Sequence, residues 1–70
     1  MEIENVVIEN KIAEYRKGLG LSQHKLAKAV GLGGRSIMAY ENNTISPTLE
    51  TAYKISEVLG KDIEGVFIFK

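Results

Sequence analysis

Seventy residues allow one domain. The absence of cysteine excludes a disulfide framework and a thiolate zinc site, and a single histidine excludes an imidazole metal cluster. A hydrophobic share of 44% and a charged share of 26% fit a folded globular chain, not a disordered one. Nine basic and nine acidic residues cancel overall. Their placement is uneven: residues 11–40 hold Lys11, Arg16, Lys17, Lys25, Lys28 and Arg35 against Glu14 alone. That asymmetry suits a polyanion-binding face, or else an ordinary solvated surface. No apolar run approaches the roughly 20 residues of a membrane span. The start, Met1-Glu2-Ile3-Glu4, is acidic where a secretory signal is basic. The expectation is a cytoplasmic protein with no membrane partner.

The β-branched stretch from Ile3 to Ile8 predicts a strand over residues 3–8. Asn10 is placed to cap a helix through Ile12, Tyr15 and Arg16 that ends near Gly18 to Gly20. Ser22 caps the next helix, whose apolar face is Leu26, Ala27 and Val30 and whose terminator is Gly31. A third helix from about Gly34 to Asn42 buries Ile37 and Tyr40. After the loop Asn42-Asn43-Thr44, Ser46 or Thr48 opens a fourth helix with Pro47 in its first turn. Leu49, Ala52, Tyr53, Ser56 and Leu59 recur at three- and four-residue steps as its inner face, with Tyr40 and Tyr53 as core aromatics. Asp62 caps one short turn, and residues 66–69 form an apolar strand. The prediction is a mainly-α domain over residues 1–70, five helices with a two-stranded ribbon of the two ends. A lone ribbon is marginal in water, and its edge invites a second copy. It should pack on the helices and contribute to a dimer.

Helices two and three are joined by Gly31-Leu32-Gly33 alone, which forces the sharp angle of a helix-turn-helix over about residues 22–42. The requirements of that geometry are met. Ala27 is small where the helices cross, Gly31 stands where a positive φ is needed, and Leu26, Val30, Leu32, Ile37 and Tyr40 face inward.

With these residues in place the sequence resembles the Cro and phage-repressor (XRE) class of helix-turn-helix regulators. The segments that carry the likeness are Gly20-Leu21-Ser22-Gln23, Leu26-Ala27, Gly31, Ser36-Ile37, Tyr40-Glu41-Asn42, Ser46 to Thr51, Lys54-Ile55 and Val58-Leu59-Gly60. The resemblance covers about residues 10–67. It implies a compact five-helix, lambda-repressor-like bundle that binds double-stranded DNA as a homodimer. Helix three then enters the major groove. Gly34, Arg35 and Ala39 hold the base-reading positions, with Ser36 nearby. Gln23 holds a phosphate-binding position at the start of helix two, followed by His24 and Lys25. His24 also reads as a plain surface residue. Asn42, Asn43 and Thr44 form the loop that touches the DNA backbone, and Arg16 with Glu41 forms a structural pair between helices one and three. No metal, cofactor or small-molecule ligand is implied.

Two departures from the family pattern stand out. Helix three opens with Gly33-Gly34 where a Ser or Thr and a polar residue are usual, so among the three reading positions only Arg35 offers a bidentate donor pair. Readout is then narrow, or leans on DNA shape. His24 and Lys25 replace the usual acidic residues, which favours phosphate. The sequence thus points to a DNA-binding regulator, expected to be a homodimeric repressor; a protein-interaction module of antitoxin-like or scaffold type is the alternative. Enzyme chemistry lacks its residues: no cysteine, one histidine, no paired carboxylates at a cleft.

Overall fold

The structure, a computed structural model, describes residues 7–69. Its elements are β1 (Val7–Asn10), α1 (Ile12–Gly18), α2 (Gln23–Val30), α3 (Gly34–Glu41), α4 (Leu49–Leu59), α5 (Ile63–Val66) and β2 (Phe67–Phe69). Local chemistry sets most of the boundaries. Ser22 Oγ accepts the Lys25 amide at 3.0 Å and so caps α2. Thr48 Oγ1 accepts the Thr51 amide at 3.2 Å and caps α4. Pro47 therefore precedes the cap instead of standing in the first turn. Asp62 occupies the cap position of α5, but its side chain makes no capping bond.

All five helices and β2 contribute side chains to a single core, α4 the most with three. Ile12, Leu26, Ala27, Ile37, Ala52, Ile55, Leu59, Val66 and Phe67 are buried together, with Tyr15, Val30, Leu32, Tyr40 and Ile63 packed at the margin. Full burial of a large aliphatic or aromatic side chain is worth about 1.5–3 kcal/mol, so helices this short depend on one another. Buried Ser56 is satisfied within its own helix, donating to the Ala52 carbonyl at 2.9 Å.

Three expectations are corrected. The first strand is described over Val7–Asn10 and so runs two residues past the expected end at Ile8; residues 3–6 lie outside the described residues. Its partner β2 starts at Phe67, because Val66 still closes α5. Phe67 is 1% exposed, and its place in the core fixes the register: Asn10 faces Phe67 and Glu9 faces Ile68, with an irregularity between Val7 and Glu9. The antiparallel ribbon thus packs on the helices through Phe67, and the Lys11 amide donates to the Val66 carbonyl at 2.7 Å. Second, Asn10 belongs to the strand. It still serves α1, since its Oδ1 accepts the Ile12 amide at 3.1 Å. Third, Tyr53 and Leu49 are 56% and 72% exposed. The inner face of α4 is Ala52, Ile55, Ser56 and Leu59. Tyr53 stands about 100° round the helix from Ala52, off that arc. No helix among the described residues is long and apolar enough to cross a membrane.

Candidate nucleic-acid interface

The turn between α2 and α3 is built by two backbone features. Gly31 adopts φ 77°, a left-handed conformation that a side chain would penalise. The Leu32 amide then reaches back to the Ala27 carbonyl at 2.8 Å and closes α2. Gly33 is extended and leads into α3 without a side-chain cap. Ala27, 1% exposed, is buried in the core between the elements. The helix-turn-helix spacing predicted from Gly31-Leu32-Gly33 is therefore realised.

α3 divides cleanly. Ile37 is fully buried and Tyr40 packs at the core margin, while Arg35 and Met38 are exposed and Gly34, Ser36 and Ala39 are half-buried. Arg35, Met38, Ala39 and Asn42 follow helical i, i+3, i+4 and i+7 spacing, so they share one face. A Cβ at Gly33 or Gly34 would meet nothing within 4 Å. Packing does not demand these glycines, and the start of the helix is open.

A polar network fixes the other end of α3. Arg16, 8% exposed, donates from Nε to Glu41 Oε2 at 2.7 Å, from Nη2 to Glu41 Oε1 at 3.2 Å and from Nη1 to the Leu21 carbonyl at 2.8 Å. Bidentate charge-assisted bonds of this kind are the strong ones. Glu41 Oε1 also accepts from Gln23 Nε2 at 2.9 Å. That bond sets the first residue of α2 beside the last residue of α3. Gln23, with exposed His24 and Lys25 after it, thus comes close to the exposed loop Asn42-Asn43-Thr44. Arg35 lies six residues back along α3, about 9 Å away along the axis. Gln23 and the loop 42–44, expected at phosphates, lie at the Glu41 end of α3; of the residues expected at bases, Gly34, Arg35 and Ser36 lie toward the other end and Ala39 between. One amide hydrogen of Gln23 is engaged by Glu41, leaving the second for another acceptor.

Asn10 completes the arrangement from the ribbon. Its Nδ2 donates to the Tyr40 carbonyl at 2.8 Å and to Asn43 Oδ1 at 3.0 Å. Sequence reasoning missed Met38 and this role of Asn10. Met38 is three residues from Arg35, so helical spacing alone could have flagged it. Asn10 is 33 residues from Asn43, and no local pattern announces the contact.

The helix-turn-helix family pattern matches residues 12–66. The chain belongs to the XRE-type helix-turn-helix family. It is 45% identical over 58 residues to an uncharacterized HTH-type transcriptional regulator of Methanothermobacter thermautotrophicus, covering 81% of this chain and 84% of that one. It is 35% identical to the cryptic phage CTXphi transcriptional repressor RstR of Vibrio cholerae, covering 81% of this chain and 51% of the repressor. Among solved structures it is similar to hydroxypropylphosphonic acid epoxidase from S. wedmorenis, with a TM-score of 0.70 and 25% identity. That match covers 77% of this chain and 29% of the epoxidase, so the likeness is to a part of that protein. As an XRE-type chain, this protein is of the DNA-binding regulator class.

Proposed function

We propose that this XRE-type chain is a sequence-specific regulator that binds double-stranded DNA as a homodimeric repressor and reads an inverted-repeat operator through α3 in the major groove. The observation that carries the reading is the outward face of α3, where exposed Arg35 stands beside open Gly34 and half-buried Ala39. The planar fork of Arg35 matches the two acceptors of guanine, and the absent side chain at Gly34 lets the helix approach the base edges closely. Gln23, Lys25 and the loop 42–44 would hold the backbone and set the register, which carries affinity but no sequence information. His24 adds a further donor on that side. Repression as the outcome draws on the name of the Vibrio cholerae relative.

Selection of bound duplexes from a random double-stranded library tests the reading. The expected product is an inverted repeat with half-site centres about 34 Å apart, one helical turn. Recovery of unenriched sequence would overturn it.

One observation favours the protein-interaction alternative: Leu49 and Tyr53 form a short exposed apolar stripe on α4, with exposed Ile45 in the loop before it. Salt dependence separates the two. Binding through phosphates weakens steeply as salt rises, whereas binding through such a stripe does not.

A further inference from the structure

Four of the helices end on a residue in the left-handed conformation. After α1, α2 and α4 it is Gly20, Gly31 and Gly60, at φ 73°, 77° and 73°. After α3 it is Asn43, at φ 58°. The closure is of the same kind: the Asn43 amide donates to the Tyr40 carbonyl at 3.0 Å and the Thr44 amide to the Ala39 carbonyl at 2.9 Å. Left-handed backbone costs a residue with a side chain more than it costs glycine. At this one end a side chain is present, and it is tied down.

The tie is Asn10. Its two amide hydrogens go to the Tyr40 carbonyl and Asn43 Oδ1, and its Oδ1 takes the first amide of α1. Three partners leave one orientation for the amide, because a flipped group would set its oxygen against two acceptors and its NH2 against a donor. One side chain thereby joins the end of β1, the start of α1 and the end of α3.

We infer that Asn10 is a positioning residue for DNA binding: its amide locks Asn43, and with it the loop 42–44, in the conformation that faces the DNA backbone. This rests on the proposed role of that loop. The ribbon then does more than cover the core. Through Asn10 it sets the shape of the end of the reading helix, and a change in the ribbon changes the grip on phosphate.

The test uses the full chain, a mixed-sequence double-stranded oligonucleotide at low salt, and temperatures well below each variant's melting midpoint. Asn10→Ser keeps an oxygen for the Ile12 amide, adds no charge and cannot reach Asn43. Asn43→Gly keeps the left-handed backbone and removes the acceptor. Asn10→Ser should weaken binding about tenfold and speed hydrogen exchange of the Asn43 and Thr44 amides; in the Asn43→Gly background its further effect on binding should fall below about threefold. Equal losses in both backgrounds, no loss, or unchanged exchange overturns the role of Asn10. A parent chain that ignores the duplex at every salt concentration overturns the proposed function itself, and the role of the loop falls with it.

Discussion

Glu41, the last residue of α3, grips Arg16 of α1 through both carboxylate oxygens, at 2.7 and 3.2 Å, with both side chains over nine-tenths buried. Removal of either partner strands a buried charge. Arg16→Ala or Glu41→Ala should each cost about 3–5 kcal/mol, a large share of the roughly 5–15 kcal/mol typical of a native domain. An apolar pair, Arg16→Met with Glu41→Leu, should recover most of that loss. Urea unfolding measures all three variants. Single-variant losses below about 1 kcal/mol would mean that the pair behaves as an exposed one.

Pairing of Arg16 with Glu41 was legible in the sequence through the family resemblance, but its burial was not. The Leu21 carbonyl and the Gln23 amide complete the bonding of the buried pair, and no local pattern encodes that meeting. Helix ends were legible wherever chemistry is local: Ser22, Gly31, Thr48 and Gly60 act within a few residues of themselves. The face of α4 was harder. Leu49, Ala52, Tyr53, Ile55, Val58 and Leu59 crowd more of the helix than one core can cover, and only tertiary packing selects Ile55 over Tyr53. The first strand runs on to Asn10 for a similar reason, since Asn10 pairs with buried Phe67. In the candidate interface, Arg35 followed from motif position, whereas the Asn10–Asn43 bond spans the chain and had no sequence signal.

Positioning and reading should separate by mutation. Gln23 opens α2, beside the far end of α3, and its proposed role is a backbone phosphate contact. Gln23→Ala should weaken selected and scrambled duplexes by a similar factor. Arg35→Ala should cost on the order of 1–3 kcal/mol on the selected duplex and much less on the scrambled one. Fluorescence anisotropy at fixed salt decides it. An equal loss on both duplexes for Arg35→Ala makes the arginine a phosphate contact.

Met38, 44% exposed on the face that carries Arg35, puts an unbranched apolar side chain on the proposed reading face. The matching feature in the major groove is the thymine methyl group. Replacement of one thymine by uracil in the selected half-site should weaken the parent about fourfold, the worth of one buried methyl. Met38→Ala should bind both versions alike. If every uracil substitution is silent in the parent, Met38 reads no methyl group.

The proposed homodimer has two candidate surfaces, and they predict opposite results. On the ribbon, Ile68 is 40% exposed in β2, and among the described residues the sheet has two strands, an arrangement that a second copy can extend. On α4, Leu49 and Tyr53 form the exposed stripe, and Ile45 in the preceding loop is exposed as well. Phe67 anchors the ribbon in the core, so a charge at position 68 disturbs the surface without emptying the interior. Ile68→Glu should therefore raise the dimer dissociation constant about a hundredfold, as expected when a buried isoleucine is lost from each copy. Leu49→Glu should leave it unchanged. Sedimentation equilibrium across a range of protein concentrations reads both. The reverse pattern moves the dimer to α4. A parent that stays monomeric throughout, and binds a single half-site as tightly as the inverted repeat, removes the homodimer from the proposed function while leaving DNA binding in place.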